Sequence, residues 1–462
     1  MTPLLLLSAL MVAPHSTPAP QVGPDEVAVV AAPSATVPTL TLSEAVDALV
    51  AHNPDLEAAE AAIDDAEAVA QQALAAVKPI LVATGNYTRN NDDATIDLGQ
   101  ALGGISQALA QATGQPLAID SPGETIIQPL QSLSASGQLQ VPLFAAHAYW
   151  DIRAARASVR ARRGSHQARL VQLRGALTQA AWLTGAAEAM VAVAQHAVDN
   201  AEAHWQTSQR LFGAGQATRL SVDQAQLQVV RRQSDLAQAR SELGRARLSL
   251  GVMLGRDTPV RIDLASARIP DPTPADLDRA VDEAVARRAE LRANRADQVA
   301  ARERIRSARM RLLPTLTGTA VASTSTVAYP TGLNYAWQVG LNLRWTIYDG
   351  GVRRATRRRA EAGLRQARAE QRRLELQIGQ QVRDATRQLA LARDRFTLAE
   401  QEVALATQAA ASAERSFAQG QAQSLDVLDA LDASFQAELR REQARAQLAA
   451  AAAELRTAQG LM

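Results

Sequence analysis

Residues 335–347 read Tyr-Ala-Trp-Gln-Val-Gly-Leu-Asn-Leu-Arg-Trp-Thr-Ile. Tyr335, Trp337, Val339, Leu341, Leu343, Trp345 and Ile347 alternate with Ala336, Gln338, Gly340, Asn342, Arg344 and Thr346. A period of two puts every large apolar side chain on one face of an extended strand. Thirteen such residues are long for a strand in water and suit a tilted strand that crosses a bilayer. Residues 132–143 alternate in the same way, with Leu133, Ala135, Leu139, Val141 and Leu143 against Ser132, Ser134, Ser136, Gln138 and Gln140. Weaker strands are expected at about 80–90, after Pro79, and 315–325, after Pro314. Nine of the 15 aromatic residues (Tyr87, Phe144, Tyr149, Trp150, Tyr329, Tyr335, Trp337, Trp345, Tyr348) lie in or beside these four segments. That clustering fits membrane-interface girdles; the competing reading is the edge of a water-soluble sandwich.

Outside these strands the pattern is helical. Hydrophobic residues make up 47% of the 462, but aromatics only 3%, too few for an ordinary core, and alanine supplies much of the rest. Such chains form long helices or coiled coils. All 19 prolines lie at or before Pro330, and none falls between Leu143 and Thr258 or after Pro330. Interior proline breaks helices, so two long proline-free tracts predict helices over 146–212 and 352–417, each about 100 Å long at ~1.5 Å per residue. Leu211-Phe212-Gly213-Ala214-Gly215-Gln216 and Phe417-Ala418-Gln419-Gly420-Gln421 punctuate them as left-handed caps followed by reversals. Returning helices are expected over 217–255 and 423–460.

Residues 1–20 hold a short apolar stretch, Leu4 to Ala13, which suits a cleaved export signal although no Lys or Arg precedes it. Residues 21–39 are a proline-rich leader. The chain then repeats itself, with repeat 1 over 40–255, a linker over 256–275 and repeat 2 over 276–460. With an offset of 235, Ala45-Val46-Asp47 matches Ala280-Val281-Asp282, Leu56 matches Leu291 and Pro79 matches Pro314. With an offset of 205, Arg210, Phe212, Gly215, Gln216, Ala217 and Leu220 match Arg415, Phe417, Gly420, Gln421, Ala422 and Leu425. The difference of 30 places an enlarged hairpin loop at 90–131 of repeat 1. Each repeat therefore reads helix, strand, strand, long helix, turn, helix.

Four membrane strands cannot close a barrel, and an open edge in lipid leaves backbone groups unpaired at several kcal/mol each. The smallest closed barrels have about eight strands. Several copies must share one barrel: a dimer gives eight strands, a trimer twelve.

These features together resemble the TolC-like outer-membrane efflux proteins. The residues that carry the resemblance are Leu40-Thr41-Leu42-Ser43-Glu44-Ala45, Asn53-Pro54-Asp55-Leu56, Val141-Pro142-Leu143-Phe144, Tyr348-Asp349-Gly350-Gly351, the two glycine turns and Asp426-Val427-Leu428-Asp429-Ala430. It spans about 40–460. It implies a mainly α fold with a membrane β-barrel: a homotrimer whose twelve strands lie in outer-membrane lipid of a Gram-negative bacterium and whose helices form a periplasmic tunnel. It further implies a passive export duct of a tripartite efflux or type I secretion system. A membrane-fusion adaptor would dock at the turns (Phe212, Gly215, Gln216, Gly420, Gln421), and an inner-membrane pump of RND, ABC or MFS type would drive the cargo. The aromatics Tyr335, Trp337, Trp345 and Tyr348 would lie at the membrane interface.

Asp426 and Asp429 are three apart and share a helix face, with Asp432 continuing the row. In a trimer they would stack as carboxylate rings at the tip, attracting cations; alone, they read as acids favoured by a helix N-terminus. Closed channels of the family can be held by an Asp–Arg–Tyr linkage, but the matching positions here are Ser221, Ala422 and Phe417, which cannot form that charged link. Asp223 and Arg219 lie within a turn of it and could substitute. The expected closed state is held by tip packing and the Asp rings. The arginines 353, 354, 357, 358 and 359, and their counterparts 153, 156, 160, 162 and 163, read as a solvated or lumen-lining face, or as a contact for anionic cargo or lipid phosphate.

The chemistry of an enzyme is not legible. Cysteine is absent, which removes disulfides, thiolate metal sites and a Cys nucleophile. Six histidines form no ligand motif, and no phosphate loop, dinucleotide fingerprint or nucleophile elbow occurs. No catalytic residue, metal or cofactor is expected. A net charge of +1 gives no argument for a nucleic-acid partner. The rival reading is a periplasmic coiled-coil adaptor or scaffold without a pore; two hairpins and the 335–347 strand favour the duct.

Overall fold

The computed structural model describes residues 37–114, 124–264, 269, 271, 273–329 and 331–461. The expected signal segment and all but the last residues of the leader lie outside them, as do parts of the 90–131 loop and of the linker.

The first repeat opens with β1 (Thr39–Thr41), α1 (Leu42–His52) and α2 (Pro54–Ala75). Thr41 and Glu44 cap α1 reciprocally: the Thr41 hydroxyl accepts the Glu44 N–H at 3.3 Å, and the Thr41 N–H donates to Glu44 Oε2 at 2.8 Å. That backbone bond, with the Thr41 hydroxyl, holds the Glu44 carboxyl below its ordinary pKa. Asn53 ends α1 and caps α2, where Pro54 sits at a helix start that has no use for its missing N–H. There follow β2 (Ile80–Arg89), β3 (Ala94–Asp97), α3 (Leu98–Thr113), β4 (Glu124–Gln128), β5 (Gln131–Phe144), α4 (Ala146–Gly213) and α5 (Arg219–Met253). Then come β6 (Arg261–Asp263), within the expected linker, and α6 (Leu277–Arg287), α7 (Ala289–Met310), β7 (Thr315–Ser325), β8 (Tyr335–Arg344), α8 (Val352–Ala418) and α9 (Ser424–Ala458).

Four strands form one antiparallel sheet in the order β2-β5-β7-β8. The loop expected at 90–131 is more than a loop: β3 and β4 pair as a small antiparallel sheet around α3. Strand β8 ends at Arg344, three residues short of the expected Ile347. Its partner β7 begins at Thr315, opposite Arg344, because Pro314 before it has no N–H to extend the ladder. Trp345 turns away instead, its indole donating to the Leu312 carbonyl at 3.2 Å.

The helices form one layer. Toward the turns, α4 packs on α5 and α9, and α9 also packs on α8, giving the order α5–α4–α9–α8. Toward the sheet the order is α2–α4–α7–α8. Between these halves, two equivalent cores lock the repeats. Ala45, Leu49, Leu56, Leu173, Leu177, Leu250 and Val260 form one; Ala284, Leu291, Ile378, Val382, Leu389 and Leu455 form the other. In each, one side chain closes the end of the returning helix. Asn53 Nδ2 donates to the Met253 carbonyl at 2.8 Å, and Arg288 Nη1 donates to Thr457 and Ala458 carbonyls at 3.1 and 3.3 Å. Asn53 and Arg288 are related by the 235-residue offset, so different chemistry satisfies the same orphan carbonyls.

Candidate functional site

Among the described residues, no buried core cluster includes a residue of the four-stranded sheet. One face carries Leu81, Ala83 and Tyr87 of β2, Leu133, Leu139 and Val141 of β5, Ala320 and Ala322 of β7, and Tyr335, Trp337, Val339, Leu341 and Leu343 of β8, as the register requires. Leu81–Leu139–Ala320–Val339 is one complete row. The other face carries Thr84, Asn86, Ser134, Ser136, Gln138, Gln140, Thr317, Thr319, Ser323, Gln338 and Asn342, with Ile80, Val82 and Val321 among them. Leu81, Trp337, Val339 and Leu341 are all more than 70% exposed. An apolar surface of this extent on a single chain needs a partner phase. From Tyr335 to Arg344, nine steps of ~3.3 Å at a tilt of about 40° span about 23 Å, close to the ~25 Å height of the lipid-facing band of a membrane barrel. Tyr335 opens β8, Trp337 lies within it, and Trp345 and Tyr348 follow its end; all four are exposed.

At the far end of the long helices both glycine turns have one geometry. Gln216 N–H donates to the Leu211 carbonyl at 2.8 Å and Gly215 N–H to Phe212 at 3.0 Å; Gln421 donates to Ser416 at 2.9 Å and Gly420 to Phe417 at 2.9 Å. Gly215 and Gly420 have φ of 74° and 72°, the left-handed position that closes a helix with this pair of bonds. Phe212 is exposed, whereas its counterpart Phe417 is buried. The Phe417 ring lies 5.0 Å from that of His204, and His204 Nε2 is 3.0 Å from Ser424 Oγ at the start of α9. Burial lowers the His204 pKa.

The other expected tip residues are dispersed. Ser221 lies in the first turn of α5, its hydroxyl 2.9 Å from that of the capping Thr218. Asp223 pairs with Arg219 at 3.1 Å on the same helix. Ala422 is half-buried in the turn. Asp426 accepts the Gln423 N–H at 2.9 Å as part of the α9 cap, while Asp429 is exposed one turn on. Asp432 leaves the row: it pairs with Arg232 of α5, which also takes Asp235 at 3.0 Å and stacks 4.2 Å from the Phe435 ring. This link and the His204–Ser424 contact join residues 200 and 220 positions apart, and no local pattern announces them. Among the described residues no group of His, Asp and Glu is placed to hold a metal ion, and no helix is long and apolar enough to cross a membrane.

The fold is thus a two-faced four-stranded sheet at one end of a layer of ~100 Å helices. A family model described as outer membrane efflux protein matches residues 45–256 and 280–461. The chain belongs to that family, whose members are outer-membrane efflux channels rather than enzymes. Among solved structures, it is similar to CusC, described for its transmembrane channel formation, at 18% identity, covering 91% of this chain and 92% of that one, TM-score 0.73. It is similar to the outer membrane protein VceC from Vibrio cholerae at 18% identity, covering 91% and 96%, TM-score 0.69. It is also similar to the Neisseria gonorrhoeae MtrE outer membrane channel in its open state at 19% identity, covering 91% and 89%, TM-score 0.68. At these identities the likeness is one of fold. No curated protein matches the chain by sequence.

Proposed function

We propose that this chain is the outer-membrane duct of a tripartite efflux or type I secretion system, a passive conduit from the periplasm to the outside. The observation that carries the reading is the four-stranded sheet with one apolar and one polar face, both exposed. Lipid covers the first, water in a lumen the second. Strands β2 and β8 each have one unpaired edge, and an unpaired edge does not survive in lipid. Pairing β8 of one copy with β2 of the next removes every edge, and a homotrimer gives a twelve-stranded barrel.

The tunnel narrows at the turns. Rings of Asp426 and Asp429 attract cations there, and the closed state is held by these rings and by packing at Phe417 and Ala422 rather than by a charged link through Ser221. Asp223, held by Arg219, takes no part in such a link. Phe212, Gly215, Gln216, Gly420 and Gln421 form the surface that meets the hairpin of a membrane-fusion adaptor, and an inner-membrane pump supplies the energy.

Ion conductance of the purified protein in planar bilayers tests the reading. A cation-preferring conductance that loses its preference in Asp426→Asn/Asp429→Asn is expected. A soluble single subunit that never inserts into liposomes refutes the duct, and a severalfold rise in conductance from uncharged substitutions at Ser221 or Ala422 refutes the account of the closed state.

A further inference from the structure

The sheet-side half of the helix layer ends in two flanks of opposite charge. Helix α2 contains six acids (Asp55, Glu57, Glu60, Asp64, Asp65, Glu67) and no base. Residues 352–373 of α8 contain nine arginines against Glu361 and Glu370. The chain as a whole is nearly neutral at +1, so this separation is a matter of placement.

The faces can be assigned. On α2, buried Leu56 and Ala66 and the salt bridges Asp55–Arg169 (2.5 Å) and Glu67–Arg163 (2.6 Å) mark the side turned to α4. Glu57, Asp64 and Asp65 are exposed and lie well round the helix from that side at about 100° per residue. On α8, the hydrogen bonds from Asn294 to the Ala367 carbonyl and from Gln298 to Gln371 mark the side turned to α7. Arg358, Arg365 and Arg372, spaced by sevens, are exposed and lie about 120–160° away. Ala355, Ala362 and Ala369 run between them, also exposed, as Ala58, Ala61 and Ala68 run beside the acids of α2. Among the described residues, none of Glu57, Asp64, Asp65, Arg358, Arg365 and Arg372 forms a salt bridge, although Glu361 lies near enough to Arg365 to feel its charge. Each flank is thus a small-residue seam lined by exposed charge mainly of one sign.

The duplication supplies the register in which they meet. Within the chain, α4 of repeat 1 packs on α7 of repeat 2. Closing a ring repeats that contact between copies, with α8 in the place of α4 and α2 in the place of α7. Inside the chain Gly164 lies so close to Ala293 that a Cβ on it would be 2.9 Å from the Ala293 Cα. The offsets of 205 and 235 carry these to Ala369 and Ala58, where the Cβ of Ala369 holds the helices farther apart than at Gly164 without changing which residues face each other. With antiparallel helices anchored there, Asp64 falls two residues from Arg365 and Glu57 two residues from Arg372, about 3 Å along the axis. Inside the chain Arg153 of α4 reaches Glu303 of α7 at 4.0 Å; the offsets carry these to Arg358 and Ala68, so the charge pairs between copies are different ones.

We infer that the acidic flank of α2, through Glu57, Asp64 and Asp65, docks on the arginine flank of α8, through Arg365 and Arg372, of a second copy of this chain. The charges fix the order and register in which the copies close. Opposed signs on the two flanks favour head-to-tail contact and oppose α2–α2 and α8–α8 pairing, where like charges would face each other. The inference rests on the ring closure proposed above.

The test uses charge reversal in the full-length protein in detergent. Glu57→Arg/Asp64→Arg, and separately Arg365→Glu/Arg372→Glu, are expected to raise the concentration at which the oligomer dissociates about tenfold or more near 150 mM salt. The fourfold variant, with both flanks reversed, is expected to recover it. Circular dichroism confirms that each variant keeps its helices. A second measurement needs no charge reversal: the chain has no cysteine, so Glu57→Cys/Arg372→Cys treated with a short bis-maleimide should give a ladder of covalently joined copies. Unchanged oligomers in both one-sided variants, or no ladder, overturn the inference while the duct stands. A wild-type protein that is monomeric under all these conditions overturns the ring closure itself.

Discussion

Val339 sits near the middle of the apolar face, in the row Leu81–Leu139–Ala320–Val339, and is 72% exposed in the single chain. Gln338 precedes it and points to the opposite face. If that sheet stood in water, arginine at either position would change stability by about 0.5 kcal/mol or less. If the apolar face meets lipid, Val339→Arg puts a guanidinium near the bilayer midplane, at a cost of about 2–4 kcal/mol. That is roughly a 30- to 900-fold change in the folding equilibrium. Gln338→Arg keeps its charge in a wet lumen and should cost under about 1 kcal/mol. The assay is urea unfolding of both variants in phospholipid vesicles, followed by tryptophan fluorescence, with the fraction inserted during refolding as a second readout. Equal effects at the two positions would refute the assignment of lipid and lumen faces.

Three further outcomes are expected. Arg288→Ala removes the bonds to Thr457 and Ala458 and leaves Glu290 without its 2.9 Å partner; urea unfolding should show a loss of about 3 kcal/mol. Arg288→Lys should recover little of it, since one ammonium cannot span these partners. Gly420→Trp should abolish export in cells while the oligomer stays in the membrane, whereas Gly420→Ala, with about 1–2 kcal/mol of left-handed strain but no bulk, should retain export; normal export in the Trp variant would rule out docking at the turn. His204 has a folded pKa below its unfolded value. The unfolded chain therefore takes up the proton first, and the stability present above about pH 6.5 is lost as pH falls toward the folded pKa. His204→Gln should flatten the decline of Tm between about pH 7 and 5; an unchanged decline would show that His204 does not carry it.

The parts of the fold that were legible in sequence are those set by long, uninterrupted physical patterns. The alternation from Tyr335 onward marks β8, but its end was set by Pro314 on the neighbouring strand, a cross-strand effect that a single segment does not display. Proline-free tracts hold α4 and α8, and Gly215 and Gly420 mark the turns because the left-handed cap tolerates little else. Strands β1 and β6 pair in parallel over three residues each, too few for a periodic signal. The β3–α3–β4 insertion reads as loop in the sequence because its composition is rich in Gly, Gln and Ala. At the tip, the shared face of Asp426 and Asp429 followed from spacing, yet Asp432 belongs to Arg232, a partner supplied by tertiary packing alone. Phe417 looks equivalent to Phe212 in sequence, but only Phe417 is covered, because the α8–α9 turn packs on His204 of α4.

The central claim is that copies of this chain share one wall around a pore. The most direct measurement is the mass of the purified complex in lipid nanodiscs together with its single-channel conductance in the same lipid. Three chains per particle and a stable aqueous conductance are predicted; a single chain per particle, or an assembly that passes no ions even when the Asp426 and Asp429 carboxylates are neutralised and the tip is cut away, would contradict it.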